Sequence, residues 1–323
     1  MFNVNNIELE KKDKITTNRL ADLAIEKGFN QLITRILLKE DVEKLSDLKL
    51  STIKQLITYY QISNISKDNK KEELINFSVT FDKNKIHDLF YKRGISYSEI
   101  SNKEIYILPI LIRNNEIFIF NNNFFYENWN KFDKNNLIEF ILPLENIEII
   151  QNINSNKTNL IDLNVSNLFQ EYVKKNLAVV LIDNNNFENI KIYIKSIIQG
   201  KNISKNLNLK KKDLSKDKFY ELAIIETKKE LINLIKSKNL IDIRTPFFLN
   251  VKFDLNKKNN LVELNSRIKK IDSINNLYVQ EFNKDHVKLR IKYLGNLQKI
   301  INQLKKKNIE LKLINDQWII KTL

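Results

Sequence analysis

The chain reads as an α+β protein made of three small mixed layers, the last a ferredoxin-like unit of βαββαβ order. Three observations carry this. Short apolar runs bounded by turn residues, foremost Ile105–Ile112, read as buried strands. Between them lie segments with apolar residues at three- and four-residue spacing, which read as amphipathic helices. Finally, 323 residues exceed what one core of roughly 250 residues organises. Domains are therefore expected at residues 1–101, 102–243 and 244–323.

In order, Phe2, Val4, Ile7 and Leu9 predict an opening strand with an irregular step at Asn5-Asn6. Thr16-Thr17-Asn18 offers capping side chains before a helix over 17–38, whose apolar stripe runs from Leu20 to Leu37 despite Gly28. Shorter helical pieces are expected around 41–44 and 51–60, then strands over 59–65 and 73–81 around a charged turn at Lys67–Lys71. Phe77, Val79 and Phe81 alternate with polar residues, so one face of that strand is buried. Asp82 caps a helix over 83–92 that Gly94 ends. The first domain is thus βαββα.

The second opens with the strand Ile105–Ile112, the turn Arg113–Glu116, and the strand Ile117–Phe120. Pro109 lacks an N–H, which an edge strand or a bulge tolerates. A helix follows over 126–132, a strand over 137–144, a loop over 149–163 and a helix over 165–175. Strands are expected over 177–183, 190–198 and 203–210, then a long helix over 216–238. Phe125 and Trp129 read as core side chains, with a ligand platform as the sharper alternative.

Arg244-Thr245-Pro246 marks the last boundary, since proline disfavours helix at its predecessor. A strand over 247–253, a helix over 261–271, a hairpin over 276–282 and 287–293, a helix over 297–307 and a final strand or hairpin over 309–323 complete the third domain.

The chain carries Lys+Arg 54 against Asp+Glu 39, a formal charge of +15, which favours acidic partners, nucleic acid or anionic lipid at long range. The runs Asn121-Asn122-Asn123 and Lys210-Lys211-Lys212, with only 4 glycines and 3 prolines, have the look of an AT-rich coding sequence, in which much of that charge is compositional. Cysteine is absent, which excludes disulfides, thiol nucleophiles and zinc–thiolate sites. No run of about 18 apolar residues predicts a membrane-spanning helix, and Met1–Asn6 lacks the basic head and apolar core of a secretory signal.

Each kind of catalytic site needs particular residues, and the chain is poor in them. His87 and His286 are the only histidines and fall in different expected domains, so neither a triad nor a histidine metal site is read. Gly28, Gly94, Gly200 and Gly295 are isolated, whereas cradling a phosphate takes a glycine-rich strand-to-helix turn. Glu72-Glu73 and Glu145 with Glu148 read as solvated carboxylates. The chain is expected to be no enzyme and to need no cofactor or metal. Nucleic acid is the alternative: the third domain has the order of the RNA-recognition fold, and Tyr278, Lys288, Arg290 and Lys292 would lie on its wet face, though without that module's glycine-flanked aromatics.

The segments 107–112 (ILPILI), Phe124–Trp129, 21–37 and 289–321 resemble the uncharacterised bacterial domain-of-unknown-function family 2066. Within that resemblance the βα opening at Val4–Ile7, the strand ending Phe81-Asp82, the strand proline at Pro109 and the helix bearing Trp129 take the family's positions. The chain departs from it in lacking a leader and in having Phe124-Phe125-Tyr126 where a second tryptophan is usual. The central segment is more distantly similar to the N-terminal domains of envelope proteins of the TolB kind. The resemblance implies a non-enzymatic accessory of the bacterial cell envelope that works through protein partners, periplasmic if a signal precedes Met1 and cytoplasmic otherwise.

Overall fold

The computed structural model describes residues 2–11, 16–64, 73–100, 103–132, 137–172, 174–186, 188–211, 214–242, 245–255, 260–295 and 297–323. The expected turn at Lys67–Lys71 and Glu72 lie outside them. The protein is α+β, and it divides into two compact units. Residues 1–99 and 240–323 form the first, and residues 100–239 form the second. The segments read as first and third domains thus belong to one unit.

The N-terminal part of the first unit comprises β1 (Asn3–Lys11), α1 (Thr17–Ile36), α2 (Lys39–Glu43), α3 (Leu50–Gln55), β2 (Ile57–Asn64), β3 (Glu73–Phe81), α4 (Lys83–Arg93) and β4 (Tyr97–Ser98). Its antiparallel sheet has the order β1-β3-β2. The irregular step is a bulge between Val4 and Ile7, with Asn6 at φ 59°. Residues three apart on a regular strand face opposite ways; the extra residue turns Val4 and Ile7 to the same core. Thr16 caps α1 by accepting from the Arg19 N–H at 3.3 Å, and Asp82 caps α4 by accepting from Asn84 and Lys85. Gly94 ends α4 at φ 63°. Gly28 brings α1 close to the sheet: a Cβ there would lie 2.9 Å from Ile7 Cδ1. The helical piece expected over 51–60 stops at Gln55, and β2 starts at Ile57.

The second unit comprises β5 (Glu104–Arg113), β6 (Glu116–Phe118), α5 (Phe124–Asn128), β7 (Glu139–Ile141), α6 (Ile147–Ser155), α7 (Val165–Leu168), β8 (Asn176–Asp183), β9 (Asn189–Ile198), β10 (Lys201–Lys210) and α8 (Lys216–Ser237). Its sheet has the order β10-β9-β8-β5-β6, with β7 also on β5. β5 runs parallel to β7 and β8, and the other pairs are antiparallel. Both faces are covered. Ile105, Ile107, Ala178 and Val180 pack with Phe125, Trp129, Ala223 and Leu231 on one side. Leu108, Ile110, Val179 and Leu181 pack with Ile149, Ile153, Val165 and Leu168 on the other. This two-sided burial is why β5 and β8 read as unbroken apolar runs rather than alternating ones.

Several expectations are corrected here. The stretch 149–163, read as a loop, begins inside α6, which Asn146 caps by accepting from the Glu148 N–H at 2.7 Å and which buries Ile149 and Ile153. The helix expected over 165–175 is only α7 and a 3₁₀ turn, Gln170–Tyr172, before Lys174 at φ 74°. β7 is three residues long, and Pro143 follows soon after it. Asn123 starts α5 at Phe124, ahead of the expected 126–132, and Trp129 is already its C-terminal cap.

The C-terminal part of the first unit comprises β11 (Leu240–Ile241), β12 (Phe247–Asp254), α9 (Leu261–Ile268), β13 (Ile274–Phe282), β14 (His286–Tyr293), α10 (Leu297–Lys305), β15 (Ile309–Ile314) and β16 (Gln317–Thr322). Its sheet order is β13-β14-β12-β16-β15. The βαββαβ expectation is corrected to βαββαββ: the chain after α10 forms a hairpin, and its second strand, β16, lies parallel beside β12. The ferredoxin-like core β12-α9-β13-β14 is kept. The two parts of this unit are tied by β4 against β11, by Lys83 Nζ donating to the Ile274 carbonyl at 2.9 Å, and by Glu99, which holds Lys299 and accepts from Gln303 Nε2 at 2.9 Å.

Candidate binding face on the C-terminal sheet

Alternation along β12 and β14 sends Leu249, Val251, Phe253, Val287, Leu289 and Ile291 into the core with Leu264, Ile268, Ile300 and Leu304 of α9 and α10. The intervening residues face away from both helices. Across that open face the register sets Tyr278 opposite Arg290 and Arg290 opposite Asn250, with Asn276, Lys292 and Phe248 in the next row. Arg290 reaches diagonally, its Cζ 4.3 Å from the Phe248 ring centroid. Such a cation over an aromatic face is favourable by ~0.5–1 kcal/mol at an exposed site. Phe248 and Tyr278 stay 47% and 42% exposed, and Asn276 Nδ2 donates to the Tyr278 hydroxyl at 2.7 Å.

Carboxylates on these strands are held by lysines. Glu281 holds Lys288 at 2.6 Å, Asp254 holds Lys252 at 3.1 Å, and Glu310 holds both Lys312 and Lys321. Hydrogen bonds from these lysines hold the Glu281 and Glu310 carboxyl pKa values below the ordinary glutamate value. Arg290 and Lys292 have no carboxylate partner among the described residues, which leaves the middle of the face positive.

Tyr278, Lys288, Arg290 and Lys292 therefore do share one face. The expectation that β13 and β14 are the central strands is corrected, because β12 lies at the centre and β13 at an edge. A hairpin fixes only which strands are neighbours, and the β12–β14 pairing comes from chain far apart in sequence. The aromatic nearest the centre is Phe248, which the sequence reading overlooks. Its signal is the pair Phe247-Phe248, since neighbours on a strand point to opposite faces.

Pro109, Phe125 and Trp129 are buried in the second unit; Phe125 and Trp129 are 1% and 0% exposed. Trp129 packs edge-on to Phe140 with centroids 6.2 Å apart. Asn123, also overlooked, is fully buried among them and makes five hydrogen bonds. His87 is buried, stacked on Tyr97 at 5.2 Å, and its pKa is lowered to about 4 by burial and then by Lys83. His286 begins β14 opposite Asp254. Glu145 and Glu148 line a pocket of about 260 Å³ together with Glu171. Among the described residues no three His, Asp or Glu side chains gather as a metal site, and no helix is long and apolar enough to cross a membrane.

No protein-family model matches the chain, and no curated protein matches it. A solved structure described as that of an uncharacterized protein is similar over 43% of this chain and 94% of its own, at 11% identity and a TM-score of 0.19, too low to bear on fold or function.

Proposed function

We propose that the chain is a non-enzymatic binding module whose working surface is the open face of the C-terminal sheet, and that its partner is a protein of the bacterial cell envelope. The observation that supports this is the cluster of Tyr278, Arg290 and Phe248, two exposed rings beside a guanidinium on a sheet whose helices α9 and α10 lie on the other side. Aromatic and arginine side chains dominate the energetics of protein interfaces. The envelope location rests on the family resemblance of 107–112, Phe124–Trp129 and the closing segment. A photo-crosslinking residue at Tyr278 tests the reading in an envelope fraction, with the same residue at the exposed Tyr91 of α4 as control. Adducts specific to Tyr278 that vanish with Phe248→Ala are expected. Equal labelling at both positions, or turnover of a small-molecule panel at enzyme-like rates, would sink it.

A second reading is single-stranded nucleic acid on the same face. Arg290 and Lys292, without a carboxylate partner among the described residues and beside two exposed rings, favour it, since bases stack on aromatics while cations meet phosphates. Fluorescence anisotropy with a single-stranded oligonucleotide at two salt concentrations decides. Phosphate contacts demand weaker binding at high salt, and no binding at low salt removes this reading.

A further inference from the structure

Charge is not spread evenly over the open face of the C-terminal sheet. At one end Lys252 lies opposite Lys288, and each is held by a carboxylate, Asp254 at 3.1 Å and Glu281 at 2.6 Å. On the far strands Lys312 and Lys321 share Glu310. The other end holds Arg290 and Lys292, flanked by Tyr278 and Asn276 of β13 and by Asn250 and Phe248 of β12. Those four neighbours are uncharged, and among the described residues neither cation meets a carboxylate. The unpaired positive charge of the face is therefore concentrated at two side chains.

Arg290 is also backed by a ring. Its Cζ lies 4.3 Å from the Phe248 centroid, and among the described residues its guanidinium makes no hydrogen bond. A guanidinium held in this way offers parallel N–H donors that match the two oxygens of a carboxylate. Lys292 follows two residues on, on the same face of the strand and about 7 Å away. An extended chain lying along β14 repeats its own side chains at that spacing.

We propose that this end of the face docks an acidic, extended segment of the partner protein. One carboxylate is forked on Arg290, a second, two residues away, meets Lys292, and apolar atoms of the segment cover the exposed rings of Phe248 and Tyr278. The proposal rests on the reading of this face as a protein-binding surface, and charge complementarity selects the occupant. A nucleic-acid strand matches less well. Arg290 already sits over the Phe248 ring on which a base would stack, and the carboxylates of Asp254 and Glu281 end the unpaired positive zone after two cations, where a strand tracks a longer positive groove.

Selection from a phage-displayed library of random peptides against the full chain is the test. Binders enriched in aspartate and glutamate, with acidic residues at alternate positions, are expected. A selected peptide, synthesised with a fluorophore, should bind roughly tenfold or more weakly to Arg290→Gln and to Lys292→Gln. Arg290→Lys keeps the charge but loses the fork, and should weaken binding as well. Lys191→Gln and Lys201→Gln, which remove the same charge from exposed positions of β9 and β10, should leave it unchanged. Circular dichroism checks that every variant is folded. No enriched peptide, binders without an acidic bias, an equal loss in the β9 and β10 variants, or a single-stranded oligonucleotide that binds more tightly with the same dependence on Arg290 overturns the proposal. Adducts at Tyr278 that persist undiminished in Arg290→Gln separate the two claims: the face then binds its partner, but not through carboxylates.

Discussion

Asn123 donates from Nδ2 to the carbonyl of Pro109 at 2.9 Å, and this bond fills a gap in the central sheet. β7 pairs with β5 at Glu104–Tyr106 and β6 at Leu111–Arg113, so among the described residues no strand pairs with the stretch between them on that side. Pro109 lies there, where its missing N–H costs no ladder bond. Its carbonyl still needs a donor, and Asn123 supplies it. The same amide shares its two hydrogens with the Phe118 and Ile119 carbonyls at 3.1 and 2.8 Å, while Oδ1 accepts from the Phe125 and Tyr126 N–H groups to start α5.

Asn123→Ala should therefore cost on the order of 3 kcal/mol or more, from buried carbonyls left unmet and a lost helix cap. Asn123→Asp keeps the cap acceptor but points a carboxylate at three carbonyls, and should be at least as damaging at neutral pH. Urea denaturation of both variants measures this; an Asp variant near wild-type stability would contradict it.

Gly28→Ala sets helix propensity, which favours alanine by about 1 kcal/mol, against a Cβ 2.9 Å from Ile7 Cδ1. Ile7→Val removes that methyl group. The substitution at Ile7 should thus cost less in the Gly28→Ala background than in the wild type. Additive effects in the double-mutant cycle would refute the close contact.

His87 makes the fold acid-sensitive in a defined window. Its pKa is about 4 in the folded protein against an ordinary 6.5, so the unfolded chain binds the proton more readily. Stability contributed by the neutral ring is intact above about pH 6.5 and falls as pH drops toward 4, by as much as ~3 kcal/mol. His87→Phe should flatten the stability profile between these values. An unaltered slope in that variant would show that other groups carry the acid response.

Trp129 is wholly buried, and its Nε1 has no hydrogen-bond partner among the described residues. Trp129→Ala should cost about 3–5 kcal/mol in thermal or urea unfolding. Trp129→Phe keeps much of the ring volume and removes the unmet N–H, so it should cost clearly less. A stable Trp129→Ala variant would argue against its role as the core of this layer.

What the sequence discloses follows the range of the interaction that fixes each element. β5 and β8 are legible because burial on both faces leaves unbroken apolar runs, and the Asn5-Asn6 bulge is legible because Val4 and Ile7 are out of phase with a regular strand. α6 is not: only Ile149 and Ile153 are buried on it, amid asparagines that read equally well as loop. The open face is half legible. Lys288, Arg290 and Lys292 alternate along a single strand, but the neighbours that give the face its shape, Phe248 on one side and Tyr278 on the other, are set by sheet order, which no local period encodes.

The pairing of β4 with β11 has a consequence for how the protein is made. Ser98 lies opposite Leu240 and Tyr97 opposite Ile241, so the chain leaves the first unit and re-enters it at one point, and everything from Ile100 to Asn239 is a loop on that neck. A ribosome releases the strand Tyr97-Ser98 an entire unit before its partner exists. During that interval every strand of the inserted unit's sheet has been made, while Glu99 still lacks Lys299 and Gln303. Vectorial synthesis thus supplies the strands of the inner unit before it completes those of the outer one, and the last strands to emerge close the structure that the first ones began.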